Sequence, residues 1–154
     1  MTIKKRILLA LVLGFAAIQF IQPARNKSEK MLAADIQKMY VVPAKILTVL
    51  LISCYDCHSN STHYPWYSFI QPGAWLMASH IKEGKANLNF SEFGAYSKRK
   101  QQSKLQAIIN SINDNTMPLN SYTMLHKKAK LSVENKVLLL DWIKTTKDSL
   151  SSKN

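Results

Sequence analysis

Both cysteines of the chain lie within a stretch of six residues, S-C-Y-D-C-H at positions 53–58. Cys54 and Cys57 are separated by two residues, and His58 follows directly, so two thiols and an imidazole lie about one helical turn apart. Covalent attachment of a c-type haem uses this C-x-x-C-H spacing, with the thiols meeting two vinyl groups and the imidazole meeting the iron. The motif therefore predicts a haem attachment site.

Three other kinds of site also use closely spaced cysteines. A thioredoxin-like dithiol follows a β-strand, whereas the residues that lead into Cys54 have a helical pattern. A structural zinc site needs a second, distant pair of ligands, for which His63 and His126 are weak candidates. A Cys54–Cys57 disulfide would close too short a loop to stabilise the fold much. Haem attachment is favoured, and the dithiol, zinc and disulfide alternatives remain open.

Residues 1–22 are interpreted as a signal peptide or a membrane anchor. A basic stretch with K-K-R at 4–6 precedes fifteen largely apolar residues at 7–21. A helix of that length reaches about 22 Å, less than the ~30 Å hydrocarbon core, which favours a signal peptide. No small-x-small cleavage site follows, which favours an uncleaved anchor. In both cases we expect the remaining chain on the periplasmic side of the cytoplasmic membrane.

The composition predicts one modest domain with a basic surface. The chain has 154 residues, 47% of them hydrophobic, and a formal net charge of +12. Its basic residues are dispersed apart from S-K-R-K at 97–100 and H-K-K-A-K at 126–130, and no nucleic-acid-binding motif surrounds either cluster. We therefore expect no nucleic-acid partner. The charge is interpreted first as a solvated basic surface, and the alternative is docking to acidic redox partner proteins or to lipid. The N-terminal segment predicts the membrane as a further partner.

The spacing of apolar residues predicts an all-α domain of about four helices with two long loops, at 59–67 and 113–122. The helices are expected from Ala44 to Ile52, from Pro72 to a cap at Gly84, after a cap at Ser97, and from a cap at Ser132 to about Thr146. The predicted organisation is a tether or arm at 23–42, the domain at 43–148 and a tail at 149–154. Long loops that are rich in aromatic residues and methionine are unusual in a compact domain unless they enclose a bound group.

A haem held by His58 has a second axial position, and the sequence offers several ligands for it. Met117 lies in a predicted loop directly before Pro118, which keeps the chain extended, so it can reach the opposite face. His80 is the runner-up, because haem iron accepts His or Met. Met77 fits a helical core stripe and is interpreted as packing.

Aromatic residues and a proline near these ligands are candidates for the haem pocket: Pro65, Trp66, Tyr67, Trp75 and Tyr122. A carbonyl near Pro65 is the expected acceptor for the Nδ1 proton of His58, a contact that fixes a ligand imidazole. Trp142 lies on the apolar face of the last predicted helix and is expected in the core.

Further motifs extend over most of the chain: S-C-Y-D-C-H-S-N at 53–60, Y-P-W-Y at 64–67, P-x-x-W-L at 72–76, E-G-K at 83–85, L-N-F-S-E-F at 88–93, M-P-L-x-S-Y-x-x-L-H at 117–126, L-S at 131–132 and D-W at 141–142. With them, the chain from Pro43 to about Lys144 resembles the monohaem, cytochrome-c-like haem-binding domain proteins of bacteria. Many of those begin with a membrane segment.

The resemblance implies a cytochrome c fold and one haem c, joined by thioether bonds to Cys54 and Cys57. It also implies His58 as the proximal iron ligand and Met117 as the distal one. The function expected from this ligand pair is single-electron transfer by a carrier rather than catalysis. The competing interpretation is a haem peroxidase, or a gas or redox sensor, whose distal ligand can be displaced.

Overall fold

The computed structural model describes residues 2–28 and 30–151, and within them the chain is helical and has no β-strand. Four longer helices of the domain are α3 (Ala44–Ser53), α5 (Gly73–Asn87), α6 (Lys98–Asn113) and α8 (Val133–Ser151). The others are α1 (Ile3–Ile18), α2 (Ile36–Met39), α4 (Tyr55–His58) and α7 (Asn120–Leu125), with 3-10 turns at Trp66–Phe69, Phe90–Ala95 and Lys127–Ala129. The all-α prediction is confirmed.

The predicted number of about four domain helices is not confirmed, since the described residues contain eight α-helices, of which one is the N-terminal α1 and four are the longer helices named above. The domain helices missed by the prediction, α2, α4 and α7, have only four to six residues. Segments so short cannot display a helical repeat of apolar residues. One of them, α7, begins at Asn120 and therefore shortens the predicted loop at 113–122.

The N-terminal apolar segment forms α1, which ends at Ile18 instead of continuing to residue 21. The apolar side chains of this helix are exposed apart from the half-buried Ile18, and none of its residues belongs to the core. Among the described residues, no helix combines the length and apolar character needed to cross a membrane.

The core of the domain is one cluster of apolar side chains among α3, α6 and α8. Leu105, Ile109 and Ile112 on α6 are buried at the helical spacing predicted from the sequence. Trp142 on α8 is buried among them, as predicted, and its Nε1 donates a hydrogen bond of 3.1 Å to the Val41 carbonyl. The arm at 23–42, described here except for residue 29, contributes the fully buried Ile36 to the same core.

Two of the predicted helix caps are present. The Ser97 hydroxyl accepts a hydrogen bond from the Lys100 N–H at the start of α6, and Ser132 accepts one from the Asn135 N–H at the start of α8. The last helix continues past Thr146 to Ser151, because Leu150 is also buried. The predicted tail at 149–154 thus begins inside α8, and residues 152–154 lie outside the described part.

Gly84 does not cap α5, because that helix continues to Asn87. The glycine instead lies where α5 crosses α4. A Cβ atom on Gly84 would lie 2.5 Å from the Cys57 carbonyl oxygen and 3.1 Å from the Cys57 Cβ. The missing side chain therefore permits a close approach of two helices, and the helix-ending role predicted for Gly84 is wrong.

We predict that Gly84→Ala destabilises the protein by about 1–3 kcal/mol, because the added methyl group must push α5 away from the α4 backbone. The free energy of unfolding in urea measures the effect. Gly14→Ala is the matched control, since a Cβ at Gly14 has no heavy atom within 4 Å. Equal stability of the two variants would contradict the close packing of α4 on α5.

Candidate functional site

The C-x-x-C-H motif occupies the junction between α3 and α4. Cys54 follows the last residue of α3, and its carbonyl accepts the backbone N–H groups of Cys57 and His58 at 3.2 and 3.0 Å. Tyr55 is buried in the core, where its ring stacks on Phe90 at a centroid distance of 5.3 Å. The packing of Tyr55 on Phe90 holds the turn in place, and Cys54, Cys57 and His58 all line one cavity.

The cavity has a volume of about 620 Å³ and lies between α4, α5, α6 and the segment that contains α7. Its walls are largely apolar and include Leu76, Leu88, Ile108 and Leu119. Small-molecule and cofactor sites have volumes of roughly 300–1,000 Å³ and are lined mainly by apolar side chains. The cavity therefore suits a large, largely apolar cofactor.

The His58 ring is oriented by the C-terminal end of α5. Its Nδ1 lies 2.9 Å from the Gly84 carbonyl oxygen and 3.0 Å from the Leu88 carbonyl oxygen. Carbonyls only accept hydrogen bonds, so Nδ1 carries the proton and Nε2 keeps its lone pair. A ring in this tautomer can bind a metal ion through Nε2.

The environment of His58 also favours the neutral ring. Burial lowers the pKa of His58, and this effect outweighs the two carbonyl hydrogen bonds, which raise it. The hypothesis that a carbonyl of Pro65 or its neighbours accepts the Nδ1 proton is wrong, because the carbonyls of Gly84 and Leu88 accept it. The Pro65 carbonyl has other partners. That carbonyl instead accepts hydrogen bonds from the backbone N–H and the hydroxyl of Ser68, at 3.0 and 2.6 Å.

The two cysteines are unpaired in the structure, and both are partly buried. Burial, with a smaller contribution from Cys57, raises the pKa of the Cys54 thiol to about 12. Burial, with the nearby Asp56 carboxylate, raises the pKa of Cys57 to about 11. Reactive redox cysteines have lowered pKa values, so these neutral thiols do not favour the dithiol interpretation. Within residues 2–28 and 30–151, no three His, Cys, Asp or Glu side chains form a metal-binding cluster.

Both candidates for the second axial position line the cavity, but they come from different elements. His80 lies on α5 four residues before Gly84 and therefore on the helix face that holds His58. Met117 lies in the loop after α6, where the N–H groups of Thr116 and Met117 donate to the Ser111 carbonyl at 3.0 and 3.3 Å. Met117 thus approaches the cavity from a separate part of the fold.

The structure divides the other predicted pocket residues into two groups. Tyr67 and Tyr122 line the cavity, and so does Met77, which was interpreted as core packing. Pro65, Trp66 and Trp75 do not line it. Trp75 instead donates from Nε1 to the Ile21 carbonyl at 3.0 Å, at the end of the N-terminal segment.

A polar network at the edge of the cavity joins α4 to α7. The Tyr122 hydroxyl donates a 2.6 Å hydrogen bond to Asp56 Oδ2, and the Tyr122 ring stacks on His126 at a centroid distance of 4.2 Å. The Tyr67 hydroxyl forms a hydrogen bond with His126 Nε2. Burial, together with the Asp56 carboxylate, raises the pKa of Tyr122. Both tyrosines are therefore expected to remain protonated donors.

Sequence reasoning missed two members of this network. His126, which the sequence offered only as a weak candidate for a zinc ligand, is half-buried between Tyr67 and Tyr122. The four-residue spacing of Tyr122 and His126, which places both on one helical face, was the signal that could have found the pair. Asp56 gave no signal, because a C-x-x-C-H motif accepts any residue between its cysteines.

Comparisons with known proteins point to the same cofactor. The chain matches the haem-binding domain family over residues 13–145. A curated relative, the cytochrome c peroxidase of Escherichia coli (strain K12), is 34% identical over 93 residues, which cover 58% of this chain and 20% of that protein. The chain thus spans about a fifth of the relative's length. No solved structure matches the chain significantly. Since the family match covers most of its length, the chain belongs to the haem-binding domain family.

Proposed function

We propose that this protein is a monohaem c-type cytochrome that transfers single electrons. The observation that carries the proposal is the arrangement at α4, where Cys54, Cys57 and His58 share one apolar cavity and two carbonyls hold His58 Nδ1. A bound haem iron supplies a one-electron couple. The fold is accordingly proposed to be cytochrome c-like.

Each residue of the motif has a separate task. Cys54 and Cys57 would hold the group through thioether bonds, and His58 would ligate the iron through Nε2. The Gly84 and Leu88 carbonyls accept the Nδ1 proton, which fixes the orientation of the ring and makes Nε2 a stronger donor to a metal. Apolar walls keep water away, so that the ligands and the low polarity of the cavity set the reduction potential.

Met117 is the proposed distal ligand. Its loop lines the cavity from beyond α6, whereas His80 lies on the same helix face as the groups that hold His58. Met117 would therefore hold the group from an element independent of α5, whereas His80 would approach it from the helix that already holds His58. A His–Met pair leaves no open position on the iron, which suits an electron carrier.

Peroxide reduction is the second candidate function. Its support is the similarity to a cytochrome c peroxidase over 93 residues. Met117 is also 38% exposed, so a ligand at this place could be displaced by a small molecule. A catalytic role would require that displacement, whereas electron transfer does not.

The proposed location is the periplasmic side of the cytoplasmic membrane. Support comes from K-K-R at 4–6 ahead of the apolar segment and from the exposed apolar side chains of α1. The proposed partners are acidic redox proteins, since a net charge of +12 attracts acidic surfaces over long range.

We predict that Cys54→Ala combined with Cys57→Ala abolishes covalent haem, because no thiol remains to form a thioether bond. Haem staining of a denaturing gel of the exported protein measures this. Met117→Ala is the control, since it changes the same cavity and leaves both thiols intact. A wild-type protein that carries no stain would refute the c-type assignment.

We predict a low-spin ferric spectrum with a methionine–iron signature that Met117→Ala removes and His80→Ala preserves. The physical reason is that Met117 alone would donate its sulfur to the iron. Absorption spectroscopy of the three purified holo-proteins measures the spin state and the methionine–iron signature. A separate assay measures the turnover of peroxide by the same three proteins. Loss of the low-spin state in His80→Ala would reassign the ligand, and a high-spin wild type that reduces peroxide would favour the second function.

A further inference from the structure

The N-terminal segment meets the domain where Gln22 Nε2 donates to the Phe69 carbonyl and Trp75 Nε1 donates to the Ile21 carbonyl, and both contacting segments carry exposed apolar side chains. We name this surface the junction patch, and it consists of Phe20, Ile21, Trp66, Phe69, Ile70 and Trp75. Trp66 is 76% exposed and Phe69 is 56% exposed, although both are large and apolar. A surface of this kind on a folded domain usually marks a contact with a protein or a membrane.

Hydrogen bonds fix the end of the apolar segment on this patch. Gln71 is only 1% exposed, and its Nε2 donates to the Ile21 carbonyl at 2.8 Å. The Gln71 backbone N–H donates to Gln19 Oε1 at 2.9 Å, and Trp75 Nε1 donates to the same Ile21 carbonyl. The N-terminal segment therefore leaves the domain at the edge of the patch.

The domain residues of the patch lie outside the lining of the cavity and outside the core cluster. Trp66 and Phe69 are three positions apart in a 3-10 turn, in which such side chains lie above one another. Ile70 and Trp75 follow immediately along the chain. None of the four lines the cavity or belongs to the core cluster. A cofactor bound in the cavity would therefore leave them exposed.

The composition of the patch and its rim suits a lipid–water interface. Tryptophan is enriched at that interface, where its ring meets acyl chains and its N–H meets polar groups. At the rim, the Arg25 guanidinium lies over the Phe69 ring at 4.1 Å and donates to the Ser68 hydroxyl and carbonyl. This half-buried guanidinium, which also lies over the Tyr64 ring at 4.5 Å, adds a positive charge beside the apolar side chains, and that charge favours a surface with anionic headgroups.

The length of α1 also favours a domain held close to the membrane. Three of its sixteen residues are the basic K-K-R at 4–6, and the apolar part at 7–18 reaches about 18 Å, less than the ~30 Å hydrocarbon core. The helix is apolar on all sides beyond K-K-R at 4–6, and such helices need an apolar environment on every face. A helix shorter than the hydrocarbon core can enter the bilayer deeply only when the domain joined to it lies at the headgroups.

We propose that the junction patch lies on the same lipid bilayer that α1 enters, so that the domain rests on the membrane surface. This inference depends on the proposed membrane location. The contact would give the domain one orientation and hold the haem cavity at a fixed height above the bilayer. Partners that exchange electrons with the haem would then meet a single exposed side of the protein.

Photo-crosslinking of the full-length holo-protein tests the inference. p-Benzoylphenylalanine replaces Phe69, and in the control it replaces Val137, which lies on α8 and is 62% exposed. Both proteins are reconstituted into vesicles of phosphatidylethanolamine and phosphatidylglycerol, recovered by flotation and irradiated. Mass spectrometry then measures phospholipid adducts on each chain.

We expect the probe at position 69 to form several-fold more phospholipid adduct than the probe at position 137. Equal adduct yields in floated protein would overturn the inference and leave the anchor intact. Chain-to-chain adducts at position 69 would show that a second copy covers the patch, which also overturns it. Failure to float would overturn both the patch and the membrane location, and haem staining of the same samples reports on the haem separately.

Discussion

The hydrogen bonds from His58 Nδ1 to the Gly84 and Leu88 carbonyls are the contacts on which the haem site depends. They connect the motif in α4 to the end of α5, and they determine which ring nitrogen is free. The two helices can come this close only because Gly84 has no side chain beneath Cys57. The ring tautomer, the position of the cysteines and the wall of the cavity therefore all follow from one helix crossing.

The remainder of the fold supports that crossing from two sides. Tyr55 lies between the two cysteines in sequence, yet its side chain is buried in the core against Phe90. This keeps the thiols at the cavity. On the other side, the Asp56–Tyr122 hydrogen bond ties α4 to α7, the helix that follows the Met117 loop. A substitution in α7 can therefore alter the proposed distal side without touching the ligand itself.

The sequence predicted those features of the structure that depend only on residues close together along the chain. Regular apolar spacing correctly indicated α6 and α8, and Ser97 and Ser132 were recognised as caps because capping needs only adjacent backbone groups. The carbonyls that hold His58 could not be predicted, because they lie 26 and 30 residues away and any residue supplies a carbonyl. For the same reason the sequence suggested a helix-ending role for Gly84, although its real constraint comes from another helix.

The most direct test of this account is the protonation of His58 in the ferrous holo-protein, observed by NMR after labelling histidine with 15N. We expect a proton on Nδ1 that exchanges slowly with solvent, because two carbonyls accept it within the fold, and no proton on Nε2. A proton on Nε2, or an Nδ1 that exchanges as fast as a solvent-exposed ring, would contradict the account.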